Sequence, residues 1–136
     1  LEFDHGVETV EDASRESGES ASKIVKTLLL KANDEYIVAI VRGDRAINFE
    51  KLTRVLGKHV TMARAKEVRQ ALGVDVGAVT PLSDKVLPLR VIMDPSVLEN
   101  EYILCGGGSR NTLIRVNTMS LVDLLKPVFI DAFEQV

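Results

Sequence analysis

The chain has one cysteine, two histidines and no tryptophan, and aromatic residues make up only 4% of it. Each shortage closes off a class. A single cysteine, Cys105, allows no internal disulfide and suits a reducing compartment, so the expected location is the cytoplasm. A lone Cys behind an apolar strand reads as an inert buried thiol before it reads as a nucleophile. His5 and His59 stand beside no candidate nucleophile or ligand in sequence. A metal site would have to be assembled from scattered carboxylates, so neither a metal nor a cofactor is expected. The few aromatics argue against a nucleic-acid binder that works by base stacking. No apolar run approaches the ~20 residues that a membrane span needs. No signal peptide is visible, and the chain opens at Leu1 rather than Met, which leaves room for a few native residues ahead of it.

What is present is an ordinary soluble balance, 46% apolar and 27% charged, over 136 residues. That length suits one domain, residues 1–136, with a proper core. The net charge is −3, but its signs are segregated. Residues 1–20 carry seven acids against Arg15, whereas residues 42–69 carry eight bases against Asp44, Glu50 and Glu67. A basic middle could steer a polyanion, or it could be a set of solvated helix faces.

The most informative stretch is Ile24-Val25-Lys26-Thr27-Leu28-Leu29-Leu30, an apolar strand with a lysine inside it. Alternate strand residues share a face, so Lys26 points the same way as Ile24, Leu28 and Leu30. An ammonium group on an apolar face is costly unless something negative meets it. Either a protein carboxylate or a ligand phosphate would serve. Asn33-Asp34 turns the chain into a second strand, Tyr36–Val41, as an antiparallel hairpin. Helices are expected after Thr9 to Gly18, after Asn48 to Gly57, from Ala65 to Gly73, and after a cap at Thr118 up to Pro127. Further strands are expected at His59–Met62, Leu87–Met93, Tyr102–Leu104 and Leu113–Val116, with a last strand or packing tail at Val128–Ile130. Strands outnumber helices and do not alternate with them, which predicts an α+β fold on a mixed sheet.

Two glycine segments add backbone that a ligand could approach. In Gly77-Ala78-Val79-Thr80-Pro81 the glycine permits close contact and the proline stiffens the exit. In Gly106-Gly107-Gly108-Ser109-Arg110-Asn111 successive N–H groups could cradle negative oxygens, or simply make a tight turn. The loop lacks the Gly-Lys-Ser/Thr ending of a nucleotide P-loop and the spacing of a Rossmann fingerprint. A lysine on an apolar strand, a Gly/Pro segment and a glycine loop would together bind an anion and polarise a carbonyl through N–H groups.

These motifs, in this order, resemble the YbaK/ProX-type aminoacyl-tRNA deacylases, which share a fold with the editing insertion of bacterial prolyl-tRNA synthetases. The resemblance rests on Thr9-Val10-Glu11-Asp12-Ala13, Ile24-Val25-Lys26-Thr27-Leu28, Arg42-Gly43-Asp44 with Ile47-Asn48, the Gly-x-x-x-Pro pattern of Gly77 to Pro81, and the loop Gly106 to Asn111. It implies a curved mixed sheet flanked by helices, and hydrolysis of the ester between a wrong amino acid and its tRNA, with alanine or cysteine on tRNA for proline as the expected substrates. Lys26, with Thr27 beside it, would hold the phosphate near the terminal adenosine. Gly77, Ala78, Val79, Thr80 and Pro81 would line the aminoacyl pocket and position the carbonyl. Gly106, Gly107, Gly108, Ser109, Arg110 and Asn111 would contact the adenosine or close the site. No protein nucleophile is implied, since a ribose hydroxyl, a positioned water or a cysteinyl substrate's thiol can contribute to the attack. The implied partners are the charged 3′ end of tRNA and an aminoacyl-tRNA synthetase, with no membrane. One departure stands out: some members carry an Asp or His just after the glycine loop, where this chain has Thr112, Leu113 and Ile114. A module that binds a tRNA 3′ end or nucleotide without turnover, or a protein-interaction domain that kept the fold, therefore stays open.

Overall fold

The computed structural model describes residues 1–136. Its centre is a hairpin of β1 (Val25–Ala32) and β2 (Glu35–Arg42), paired antiparallel with Val25 opposite Arg42 and Ala32 opposite Glu35. The turn places Asn33 at φ 54°, a left-handed conformation that asparagine tolerates better than most residues. β4 (Val60–Met62) adds antiparallel to β1. On the other side β5 (Arg90–Met93) pairs parallel with β2, and β8 (Val128–Phe129) parallel with β5. The resulting sheet, in order β4-β1-β2-β5-β8, is mixed as expected. Two small ladders complete the structure. One joins β3 (Arg45–Ile47) to β9 (Phe133–Gln135), the other β6 (Tyr102–Gly106) to β7 (Leu113–Asn117).

The helices begin and end where the local chemistry says they should. α1 (Val10–Ser17) starts at Thr9, whose hydroxyl accepts from the Asp12 N–H. α2 (Phe49–Leu56) starts at Asn48, whose carboxamide accepts from the Lys51 N–H. α3 (Ala65–Leu72) is held at its start by Glu67, whose carboxylate accepts from the Arg64 N–H, Lys31 Nζ and Tyr36 Oη. Those donors favour the charged form, the Arg64 N–H most, and draw the Glu67 pKa down to about 2. Gly18, Gly57 and Gly73 each close a helix in the left-handed region. α4 (Thr118–Leu125) departs from the expectation: Asn117 caps it by accepting from Ser120 N, while Thr118 is the first helical residue and is buried.

The expected strand over 87–93 is shorter, running only from Arg90. Pro88 has no N–H to give a ladder, and residues 83–89 use turn bonds instead, among them Leu89 N–H to Val86 O. Strands β3 and β9 have three residues each, too few to show a period in sequence.

The core lies in three parts. One face of the sheet packs Val25, Leu29, Val38, Ile40 and Met93 against α3, α4 and Ile103. The other packs Leu30, Ile37, Ala39, Val41 and Ile92 against Leu52 of α2 and Phe133 of β9. A third, smaller cluster of Val7, Ala13, Ile24, Leu104 and Leu113 lies under α1. The start of β1 sits where the three parts meet. Ile24 there forms a parallel bridge to Leu104, which draws the β6–β7 hairpin alongside.

The basic middle of the chain is mostly neutralised. Arg42, Arg45, Lys51, Lys58, Arg64 and Arg69 each lie within ion-pair distance of a carboxylate. Residues 42–69 therefore do not form a continuous free polycation. No helix is long and apolar enough to cross a membrane.

Candidate active site

At the meeting point of the three core parts is a cavity of about 540 Å³, a size typical of ligand pockets. Its walls come from distant parts of the chain: residues 7–11 with Ala13, residues 24–28, Gly43, Val76, Gly77, Val79, then Gly106, Ser109, Thr112 and Leu113 of the β6–β7 hairpin, and Val136. Its charged lining is Lys26 with Glu8 and Glu11, and its side-chain hydroxyls belong to Thr9, Thr27, Ser109 and Thr112. No thiol or imidazole lines it.

Lys26 is the feature around which this wall is built. Its amine makes no ion pair with a carboxylate. It donates instead to the backbone carbonyl of Arg45, 2.6 Å away, across the face that holds Leu28 and Leu30. One of its three N–H donors is used in this way, so the ammonium retains capacity toward a ligand. Burial pushes its pKa below the usual lysine value, and the more distant charges of Asp44, Asp94 and Glu11 pull the other way. The internal-carboxylate reading of this residue thus gives way to a lysine held by a neutral carbonyl. Next to it, Thr27 Oγ1 is buried with no hydrogen-bond partner in the chain.

The two glycine segments are brought together. A Cβ on Gly106 would stand 2.5 Å from the Val79 carbonyl oxygen, so the glycine lets the hairpin lie directly on the Gly77–Val79 backbone. A Cβ on Gly77 would fall 2.0 Å from Glu8 Oε2, so the Glu8 carboxylate lies flat against that glycine. Gly77 itself is in a one-turn 3-10 segment, Val76–Ala78, whose first N–H groups have no partner inside the turn. Gly106→Ala is expected to lower stability by about 1–3 kcal/mol, because the clash is with backbone that cannot swing aside. Urea unfolding measures the loss, and an unchanged midpoint would show that the contact is slack.

Of the residues singled out from sequence, Lys26, Thr27, Gly77, Val79, Gly106 and Ser109 line this one cavity. The others lie outside its lining. Ala78 and Pro81 are buried beneath the segment, and the Thr80 hydroxyl accepts from the Leu82 N–H. Gly107 donates to the Thr112 carbonyl, and Gly108 turns at φ 92°. Asn111 is tied to Phe3 through both backbone and side chain, and Arg110 Nε donates to Glu8 Oε1 at 2.6 Å. Sequence reasoning passed over Glu8, since residues 1–8 show no pattern. The hairpin it faces is more than a hundred residues away. Cys105 is fully buried and its thiol pKa is pushed up to about 12 by that burial, which leaves no nucleophilic thiolate near neutral pH. No cluster of three or more His, Cys, Asp or Glu side chains stands close enough to hold a metal ion.

The mixed-sheet fold sets a lysine without a carboxylate partner on the same cavity as the two glycine segments. The comparisons with known proteins give it a family. The model of the aminoacyl-tRNA editing domain matches residues 4–124, and the chain belongs to that family. The activity of that class is aminoacyl-tRNA deacylation. The proline–tRNA ligase of Thermosipho africanus is 37% identical over 103 residues, which is 74% of this chain and 18% of the ligase. That of Thermotoga maritima is 33% identical over 108 residues, 79% of this chain and 18% of the ligase. The chain thus spans about a fifth of the length of these relatives. Among solved structures, the hypothetical protein APE2540 superposes with a TM-score of 0.89 at 31% identity, covering 98% of this chain and 89% of its own. A protein provisionally described as a trans-editing enzyme for prolyl tRNA synthetase superposes with a TM-score of 0.88 at 25% identity, covering 98% of this chain and 85% of its own.

Proposed function

We propose that this chain, acting as one editing domain in the cytoplasm, hydrolyses misacylated tRNA for proline that carries alanine or cysteine. The observation that carries the reading is the Lys26 amine. It lacks a carboxylate partner and faces the same cavity as Gly77, Gly106 and Ser109. In this reading Lys26 holds a phosphate beside the terminal adenosine, and the hairpin from Gly106 to Asn111 borders the nucleoside. The N–H groups of the Gly77 turn polarise the ester carbonyl. Water adds to the carbonyl carbon, the bond to the ribose oxygen breaks, that oxygen takes a proton, and the amino acid leaves as its carboxylate. One well-placed N–H donor to the developing oxyanion contributes roughly 3–4 kcal/mol. In this reading water or a substrate hydroxyl moves the proton, and no imidazole or thiol lines the cavity to take that part.

Editing is needed because one methylene is worth only about 1–3 kcal/mol of discrimination in a synthetic pocket. The tRNA, and a prolyl-tRNA synthetase that releases the wrong product, are the proposed partners. A panel of Ala-, Cys-, Ser- and Pro-charged tRNA tests the reading. Release of alanine or cysteine with proline spared is the expected result. A second reading is favoured by the absence of an ionisable group at Thr112–Ile114: a domain that binds the tRNA 3′ end without turnover. Tight binding with no release of any amino acid would establish it and remove the first.

A further inference from the structure

Among the cavity's charged groups, Glu8 has no task in the reaction as described so far. Its placement is nevertheless constrained on three sides. Its Oε1 accepts from Arg110 Nε at 2.6 Å. Its backbone is fixed by the adjacent Val7 N–H, which donates to the Arg110 carbonyl at 2.7 Å. Its remaining oxygen, Oε2, lies against Gly77 and meets no donor from the chain. The side chain is 31% exposed, so this free oxygen is open to a ligand entering the cavity.

The two carboxylates of the cavity are divided between its ends. Glu8 Oε2 lies against Gly77 and so marks that end of the cavity, whereas the charge of Glu11 acts on the Lys26 amine and puts it toward the phosphate end. A substrate whose ester carbonyl sits at Gly77 carries its α-nitrogen two bonds from the carbonyl carbon. That nitrogen is a free amine, largely an ammonium near neutral pH, in an aminoacyl-tRNA that is not N-acylated, and an amide in a peptidyl-tRNA.

Resting on the deacylase reading, we propose that Glu8 receives the α-ammonium group of the aminoacyl moiety and so makes the site selective for substrates with a free amine. Arg110 neutralises one edge of the carboxylate and aims the other. An N-acylated substrate would bury Oε2 against an uncharged amide, which returns a weaker hydrogen bond and leaves the carboxylate poorly compensated. The site would in this way spare nascent peptides on tRNA, whose hydrolysis would abort synthesis.

The test compares alanyl-tRNA with N-acetyl-alanyl-tRNA for the wild type, Glu8→Gln and Arg110→Gln, with folding checked by circular dichroism. The wild type is expected to prefer the free amine by about ten- to a hundredfold in kcat/KM, the range of a charge-assisted hydrogen bond. Glu8→Gln, which keeps the shape over Gly77, should lose that preference by slowing on the charged substrate alone. Arg110→Gln, which frees the edge that Arg110 holds, should reduce the preference only in part. An equal loss on both substrates in Glu8→Gln would make the residue a strut for the glycine hairpin and overturn the proposal. So would a wild type that cleaves both substrates equally. A wild type that releases no amino acid from any charged tRNA overturns the deacylase reading, and this proposal with it.

Discussion

Lys26→Met is expected to cut kcat/KM for a misacylated tRNA by about a hundredfold or more while leaving the melting temperature unchanged or slightly raised. The loss follows from truncating one partner of a desolvated charge pair, which costs about 2–5 kcal/mol in complexes of this kind. The lack of a stability penalty follows from the titration of the amine. Burial holds its folded pKa below 10.5. Below that depressed value both the folded and the unfolded chain carry the charge, and the folded chain bears its desolvation. Above 10.5 both are neutral and the cost is gone. The charged amine therefore weakens the fold at neutral pH, and the penalty is relieved as pH rises through its folded pKa. Methionine removes the charge and fills much of the same space beside Leu28, at the cost of the bond to the Arg45 carbonyl. A variant that is inactive because it is unfolded would instead show that the amine is needed for structure. Substrate binding should weaken as the pH is raised toward the lysine range, measured as a rise in KM.

The largest loss of stability is expected from Asp94→Ala. Asp94 is fully buried at the end of β5. One oxygen accepts from the Ser96 N–H, and the other lies 3.3 Å from Arg45 Nε. Arg45 in turn donates to the Phe133 carbonyl, and its own carbonyl holds Lys26. Removing one partner of a buried pair costs about 3–5 kcal/mol, and the partly exposed Arg45 places this case at the low end, near 3 kcal/mol. That is a fall in melting temperature of roughly 10 °C for a chain of this size. Activity should fall further than stability alone explains, since Lys26 also loses one of the negative charges that oppose its desolvation. A shift of under two degrees would show that the pair is replaced by water at no cost.

Much of this was legible in the residues alone, for reasons that differ by element. The starts of α1 and α2 were readable because Thr9 and Asn48 bond within three residues of themselves, and the glycine stops because left-handed backbone excludes most other side chains. The cap of α4 was misplaced by one because Asn117 and Thr118 can both accept from the first turn, and burial of Thr118 decides between them. Lys26 could be found because a charge inside an apolar strand is a local anomaly. Its partner could not, since the Arg45 carbonyl is presented by a three-residue strand that exists only through its pairing with β9. Glu8 and Glu11 were hidden for the same reason. Their neighbours in space come from residues 77, 110 and 26, and nothing in an acidic N-terminal run says which acid will turn inward.

Both extremities of the chain build the pocket: residues 7–13 form one wall, and Val136, whose N–H donates to the Asp44 carbonyl, closes another. A nascent chain stalled short of Phe133 would have the central hairpin yet lack the strand that holds Arg45, and with it the carbonyl that steadies the lysine. The carbonyl that steadies the lysine is therefore in place only once Phe133–Gln135 has paired with Arg45–Ile47.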